Sequence, residues 1–306
     1  MIDVLFQMVG LIVCGIGWQV LRPGGLEAAP TRKVLTSLVY YLLLPALVLS
    51  VLWKAELGET SMLIAASAAF GVVVGLLLSF FSCKFCNNRA AEAGALILAV
   101  AFPNVTYMGL PVLEATFGPW ARSVAIQYDL FACTPLLFTL GVFIAARMGS
   151  AGGQTTFLFQ DILRIPAMWA AVLAVLLNAF DVPVPNILGG LLSLLERGVV
   201  PLMLFSLGLS LEWDRSRWRL IPSLVPVVLL RLLIVPFLVM ILTGFTGLSG
   251  DLRAAVVMEA AMPSMVIGIV ICDRFNLDVS LYAAAVTVTT ALSIVTLPMW
   301  FTWVSG

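Results

Sequence analysis

EAGALILAVAFPNVTYMGLPVLEATFG, residues 92–118, is apolar and long enough to cross a bilayer, yet Pro103 and Pro111 interrupt it and Asn104 sits between them. A proline inside a membrane helix removes a backbone donor and frees a carbonyl, and hydrocarbon offers no water to satisfy what is exposed. Such breaks persist where they line a polar cavity. A second break stands at a matching place in the other half of the chain, in DLRAAVVMEAAMPSMVIGIVICDRF, residues 251–275, where Ser264 follows Pro263. Two interruptions in corresponding positions are the sequence mark of secondary transporters that bind substrate where the broken helices cross.

The surrounding chain fits that frame. Its 306 residues are 62% hydrophobic and 10% charged, which predicts an all-α, multi-pass membrane protein. Ten spans are read at roughly 4–21, 34–53, 60–82, 91–117, 120–146, 162–180, 186–211, 219–242, 251–275 and 280–303. The connections are too short to hold a soluble domain. Arg22, Arg32, Lys33, Lys84, Arg89, Arg147, Arg164, Arg215, Arg217, Arg219 and Arg274 fall in odd-numbered connections, whereas the even-numbered ones hold Lys54, Arg122 and Arg253. Excess positive charge stays on the cytoplasmic side, so both termini are expected outside, in a plasma membrane of the bacterial inner-membrane type. The first apolar stretch begins with an acidic residue, Asp3, and is read as span 1 rather than as a cleaved leader.

The halves align on each other. An offset of 156 residues matches Pro45 to Pro201, Ser50 to Ser206 and Glu56 to Glu212, and an offset of 160 places AFPN (101–104) on AMPS (261–264). Five spans per copy is odd, so the second copy enters the membrane from the opposite side. The expected architecture is two inverted five-helix repeats, residues 1–147 and 161–306, joined by a polar, glycine-containing connection at 148–160, with spans 4 and 9 broken and crossing. Pro45 and Pro201 are read as packing kinks.

The stretch Pro103, Asn104, Met108, Gly109, Pro111, Leu113, Ala115, Gly118 gives the pattern P-N-x-x-x-M-G-x-P-x-L-x-A-x-x-G. In this motif, in the A-x-P of the second break and in span count, the chain resembles the auxin efflux carrier family, which includes the plant PIN-FORMED exporters and bacterial transporters of small organic acids. The resemblance implies a carboxylate substrate held at the unwound centres of spans 4 and 9. It also implies a scaffold of spans 1, 2, 6 and 7, and a moving transport domain of spans 3–5 and 8–10, an elevator mechanism. A homodimer follows from the same analogy and from the apolar faces of spans 2 and 7. The chain departs from the plant exporters in lacking their long cytoplasmic loop and in carrying Glu259 in the second broken helix.

Physical chemistry supports a carboxylate independently. Each break creates a half-helix N-terminus that attracts an anion, Asn104 supplies an amide donor to one oxygen, and Ser264 or Thr106 donates to the other. Gly109 and Gly268 allow close backbone approach. Pro103, Asn104, Thr106, Gly109, Pro111, Pro263, Ser264 and Met265 are therefore the expected substrate-binding residues. Charges at membrane depth are costly and mark function. Asp129 in span 5 and Glu259 in span 9, with Thr287, Thr289 and Thr290 of span 10, form the expected site for a coupling ion, Na+ or H+. The position of Glu259 is similar to that of a sodium-ligating glutamate in the distantly similar bile-acid sodium symporter fold. Glu114 and Arg122 are read at the membrane interface, and Arg231 is the candidate answer to Glu196.

Other functions find less support. Zero formal net charge excludes a basic nucleic-acid surface. The chain has no histidine and no G-x-S-x-G elbow, so an enzyme is not expected, and Cys83 and Cys86 alone cannot close a zinc site. No cofactor or metal is expected, and the expected partners are a small carboxylate, membrane lipid and a second copy. A membrane sensor or lipid-binding receptor of the same fold is the alternative. The orientation is directly testable: single cysteines at positions 54 and 253 should react with an impermeant reagent applied to whole cells, whereas those at 32 and 217 should not. The reverse labelling would invert the topology.

Overall fold

A computed structural model describes residues 2–55, 57–86, 88–149, 165–210 and 221–305. Most of the 148–160 connection, Arg164, the Arg215, Arg217 and Arg219 cluster and the Glu56–Glu212 match lie outside the described residues. The described chain is helical. Six helices are long and apolar enough to cross a membrane: α2 (Ala28–Trp53), α3 (Glu59–Phe85), α6 (Ala121–Met148), α8 (Asn186–Leu209), α9 (Ser223–Thr243) and α12 (Val279–Ser305). They correspond to the expected spans 2, 3, 5, 7, 8 and 10. Shorter helices occupy the other apolar stretches: α1 (Ile2–Leu21), α4 (Ala90–Ala101), α5 (Leu110–Phe117), α7 (Pro166–Ala179), α10 (Gly250–Ala260) and α11 (Gly268–Arg274).

Proline shapes this architecture locally. Phe102, just before Pro103, has φ −108° and ψ 111°, the extended conformation that a following proline ring imposes, and α4 ends there. Elsewhere several prolines follow a widened turn, though Pro201, Pro226 and Pro298 do not. Wide π turns at Val39–Leu43, Val105–Gly109, Asp129–Cys133 and Leu230–Ile234 each end two residues before a proline, respectively Pro45, Pro111, Pro135 and Pro236. A proline ring clashes with the carbonyl four residues earlier, and that carbonyl lies inside each widened turn.

The chain divides into two compact units, the first drawn from Met1–Glu59, Thr106–Ile126 and Ile162–Leu211, the second from Thr60–Val105, Gln127–Asp161 and Glu212–Gly306. In the first, α1 and α8 meet through glycine: a Cβ on Gly15 would lie 2.9 Å from the Gly208 Cα. Backbones that close leave no room for side chains, the small-residue packing common between membrane helices. The Gln19 amide donates to the Gly208 carbonyl at 2.8 Å, and Asn178 of α7 donates to the Trp53 and Ala55 carbonyls at 2.9 and 2.8 Å, closing the end of α2. Arg122 joins Glu114 and Glu196.

The second unit holds both breaks. Helix α4 is buried on every side from Ala93 to Ala101, and α10 from Ala254 to Ala260, as expected of helices without a polar face. A Cβ on Gly75 would lie 2.9 Å from the Ala101 Cα, so α3 presses directly on the end of α4. The indole of Trp300 in α12 donates to the Leu232 carbonyl at 2.7 Å, fixing the π turn of α9.

Candidate functional site

The two breaks meet in the second unit. The Asn104 N–H donates to the Pro263 carbonyl at 2.8 Å, and the Met265 N–H donates to the Phe102 carbonyl at 3.0 Å, forming a single antiparallel bridge between Pro103 and Ser264. The pairing is reciprocal: each break gives one donor and one acceptor to the other. Neither proline could donate, so Asn104, next after Pro103, and Met265, two after Pro263, do.

The remaining freed carbonyls find donors one by one. Ala99 accepts the Ser264 hydroxyl at 2.7 Å, and the Met265 carbonyl accepts the Tyr282 hydroxyl at 2.7 Å. Arg231 of α9 serves both half-helices: one terminal nitrogen donates to the Val100 carbonyl at 2.9 Å and to Ala101 at 3.5 Å, while the other reaches Ala260 at the end of α10. Its side chain is only 1% exposed. Buried backbone polar groups are almost always paired, and here one guanidinium pairs three.

Among the described residues, the Asn104 Nδ2, the two carboxylate oxygens of Glu259 and the Arg231 Nε stay unpaired at the crossover, in side chains 2%, 0% and 1% exposed. Leaving a donor or acceptor buried without a partner costs roughly 1–3 kcal/mol, more for a charge, so such groups point to a ligand or to a functional role.

The expected site residues separate accordingly. Pro103, Asn104, Pro263, Ser264 and Met265 come together at the bridge. Thr106, Gly109 and Pro111 follow along the same segment and fall in the first unit. Ser264 has its hydroxyl engaged by Ala99, and its own N–H donates to Thr289 Oγ1 at 3.1 Å. Among the expected ion-coupling residues, Asp129 accepts the Thr134 hydroxyl at 2.8 Å and lies within electrostatic reach of Glu259. The Thr287 hydroxyl bonds back to Ala283 at 3.0 Å and Thr289 to Ala285 at 2.7 Å, while Thr290 Oγ1 is buried with no partner among the described residues.

The pairing expected of Arg231 is corrected. Glu196 meets Arg122 at 3.2 Å within the first unit, and Arg231 caps backbone carbonyls in the second. Sequence reasoning also passed over Tyr282. A Cβ on Gly268 would run into the Tyr282 ring, so that glycine makes room for a side chain rather than for backbone. The intramembrane arginine was visible in the sequence, but its acceptors are carbonyls, which no residue letter announces.

Two apolar helices broken at prolines, paired through their backbones and set among membrane-length helices, belong to the class of membrane transporters. The chain is a member of the membrane transport protein family, the auxin efflux carrier family, whose model matches residues 4–301. It is 29% identical over 302 residues to an uncharacterized transporter of Methanothermobacter thermautotrophicus, covering 97% of this chain and 96% of that one. An uncharacterized transporter of Methanocaldococcus jannaschii is 24% identical over 88% of each chain. The uncharacterized transporter YfdV of Escherichia coli is 23% identical over 75% of this chain and 74% of its own.

Tyr282→Phe removes the donor to Met265 and nothing else at the ring. It should lower unfolding stability in detergent by about 1–3 kcal/mol. A variant as stable as the parent would show that the Met265 carbonyl has another donor.

Proposed function

We propose that the chain is a secondary carrier of a small organic anion, a carboxylate, bound at the crossover of the two breaks and moved by alternating access. The observation that carries this reading is the buried Asn104 amide, whose Nδ2 has no partner among the described residues at the point where both breaks pair. An amide donor held ready in a dry site suits a carboxylate oxygen. Coupling to Na+ or H+ runs through Glu259, whose oxygens are likewise unpartnered and within electrostatic reach of Asp129.

The proposed architecture is ten spans in two inverted repeats, with both termini outside a bacterial-type plasma membrane, working as a homodimer. A scaffold of spans 1, 2, 6 and 7 and an elevator-type transport domain of spans 3–5 and 8–10 is supported by the division into units, which also assigns Thr106–Ile126 to the first. The exposed apolar side chains Val34 and Leu38 of α2, and Ile187, Leu191 and Leu194 of α8, support lipid or dimer contact there.

Two substitutions test the reading. Asn104→Ala should weaken carboxylate binding by roughly 1–3 kcal/mol in calorimetry on folded protein. Unchanged affinity across a panel of mono- and dicarboxylates removes Asn104 from the site. Glu259→Gln keeps shape and removes charge, so in proteoliposomes it should lose gradient-driven accumulation while exchange of bound substrate continues. Full accumulation by this variant makes Glu259 structural and the protein a uniporter.

A further inference from the structure

In broken-helix transporters the carbonyls at half-helix C-termini are the groups offered to a coupling cation. Here those ends converge on a side chain. We infer that the Arg231 guanidinium is a tethered monovalent cation filling the cation site formed by the Val100, Ala101 and Ala260 carbonyls, so that the crossover keeps its shape without Na+. The geometry stands by itself, whereas its meaning for coupling rests on the carrier function proposed above.

The electrostatics favour this assignment. Each helix C-terminus carries about half an elementary negative charge, so two converging ends present roughly one, and one guanidinium balances them. Arg231 does so from within the fold, bonding the Val100 carbonyl at 2.9 Å on one side and Ala260 on the other. Its charge is permanent, because arginine is not deprotonated in proteins. A free ion leaves and returns with each cycle, but a side chain cannot.

The guanidinium is also held in place. Arg231 lies in the π turn Leu230–Ile234, and the carbonyl of Leu232, the next residue, is pinned by the Trp300 indole at 2.7 Å. Its planar fork reaches two half-helices at once, which a compact ammonium on a flexible stem does less well. Carbonyls already paired in this way are not free to complete the oxygen shell that a bound Na+ requires.

The test is thermal unfolding of the purified full chain, without substrate, in NaCl, KCl, guanidinium chloride and choline chloride at matched ionic strength and millimolar concentration. The parent midpoint should be the same in all four salts. Arg231→Gln should unfold several degrees lower, and Na+ or guanidinium should recover most of that loss saturably while choline does not. A saturable rise of the parent with Na+, or a folded Arg231→Gln that responds to neither ion, overturns the inference. Should Arg231→Gln fail to fold, Arg231→Lys decides: a folded lysine variant indifferent to Na+ supports a tethered charge, and one that fails in every salt overturns it. Proteoliposomes give an independent reading, since uptake indifferent to a Na+ gradient is expected, which leaves H+ as the ion coupled through Glu259. Absence of any carboxylate uptake would sink the carrier proposal and leave the unfolding result to decide on Arg231.

Discussion

Every other feature of the second unit follows from one constraint: two helices end inside it, and their freed backbone groups have no water to turn to. The breaks answer part of the demand themselves by exchanging one hydrogen bond each way, Asn104 to Pro263 and Met265 to Phe102. Three side chains from neighbouring segments meet the rest: Ser264 on Ala99, Tyr282 on Met265, and Arg231 on Val100, Ala101 and Ala260. The close packing of α3 on α4 and the burial of α4 and α10 on all faces are consequences, because a dry crossover requires helices without a wet side. Removing any one of these donors leaves an acceptor in a place where unmade hydrogen bonds cost most.

Much of this was legible in the residues. Pro103 and Pro263 marked where the helices break, since an X-Pro step biases the preceding residue toward extended backbone, as at Phe102. Membrane depth marked Asp129 and Glu259 as candidates, and the proline break marked Asn104. What could not be read was partnership with the main chain. Arg231 stands in LLRLLIVP, where the letters announce a costly buried charge and nothing about carbonyls contributed by two other helices. The same holds for Thr289, expected to help hold an ion, whose hydroxyl also accepts the Ser264 N–H. Pro45, read as a packing kink, sits in a helix that continues and widens one turn ahead of it, a relief that costs less than a break when no cavity has to be lined.

The two units handle buried charge differently. In the first, Arg122 lies between Glu114 and Glu196, an ion pair on either side of one cation and partly exposed. In the second, Arg231 is paired with backbone dipoles, and the Glu259 carboxylate has no donor among the described residues. Tyr128 lies within electrostatic reach of both Arg231 and Glu259, so the three share one low-dielectric neighbourhood. There the guanidinium is not a simple counter-ion to Glu259, because its terminal nitrogens are already committed to carbonyls.

That arrangement bears on why, under the carrier function proposed above, a carboxylate substrate and a cation would arrive together. Glu259 sits in the last turn of α10, where the partial negative charge of the helix end opposes a second negative charge, and its oxygens have no donor among the described residues. An ionised Glu259 is therefore costly in the resting protein, and a substrate carboxylate brought to Asn104 would raise that cost further by like-charge repulsion. Neutralising Glu259 with a cation removes both penalties at once. The anion then binds more readily when the cation is present, and by reciprocity the cation binds more readily when the anion is. Coupling in this view needs no contact between the two ligands, only a dry interior in which one more negative charge is affordable after another has been cancelled.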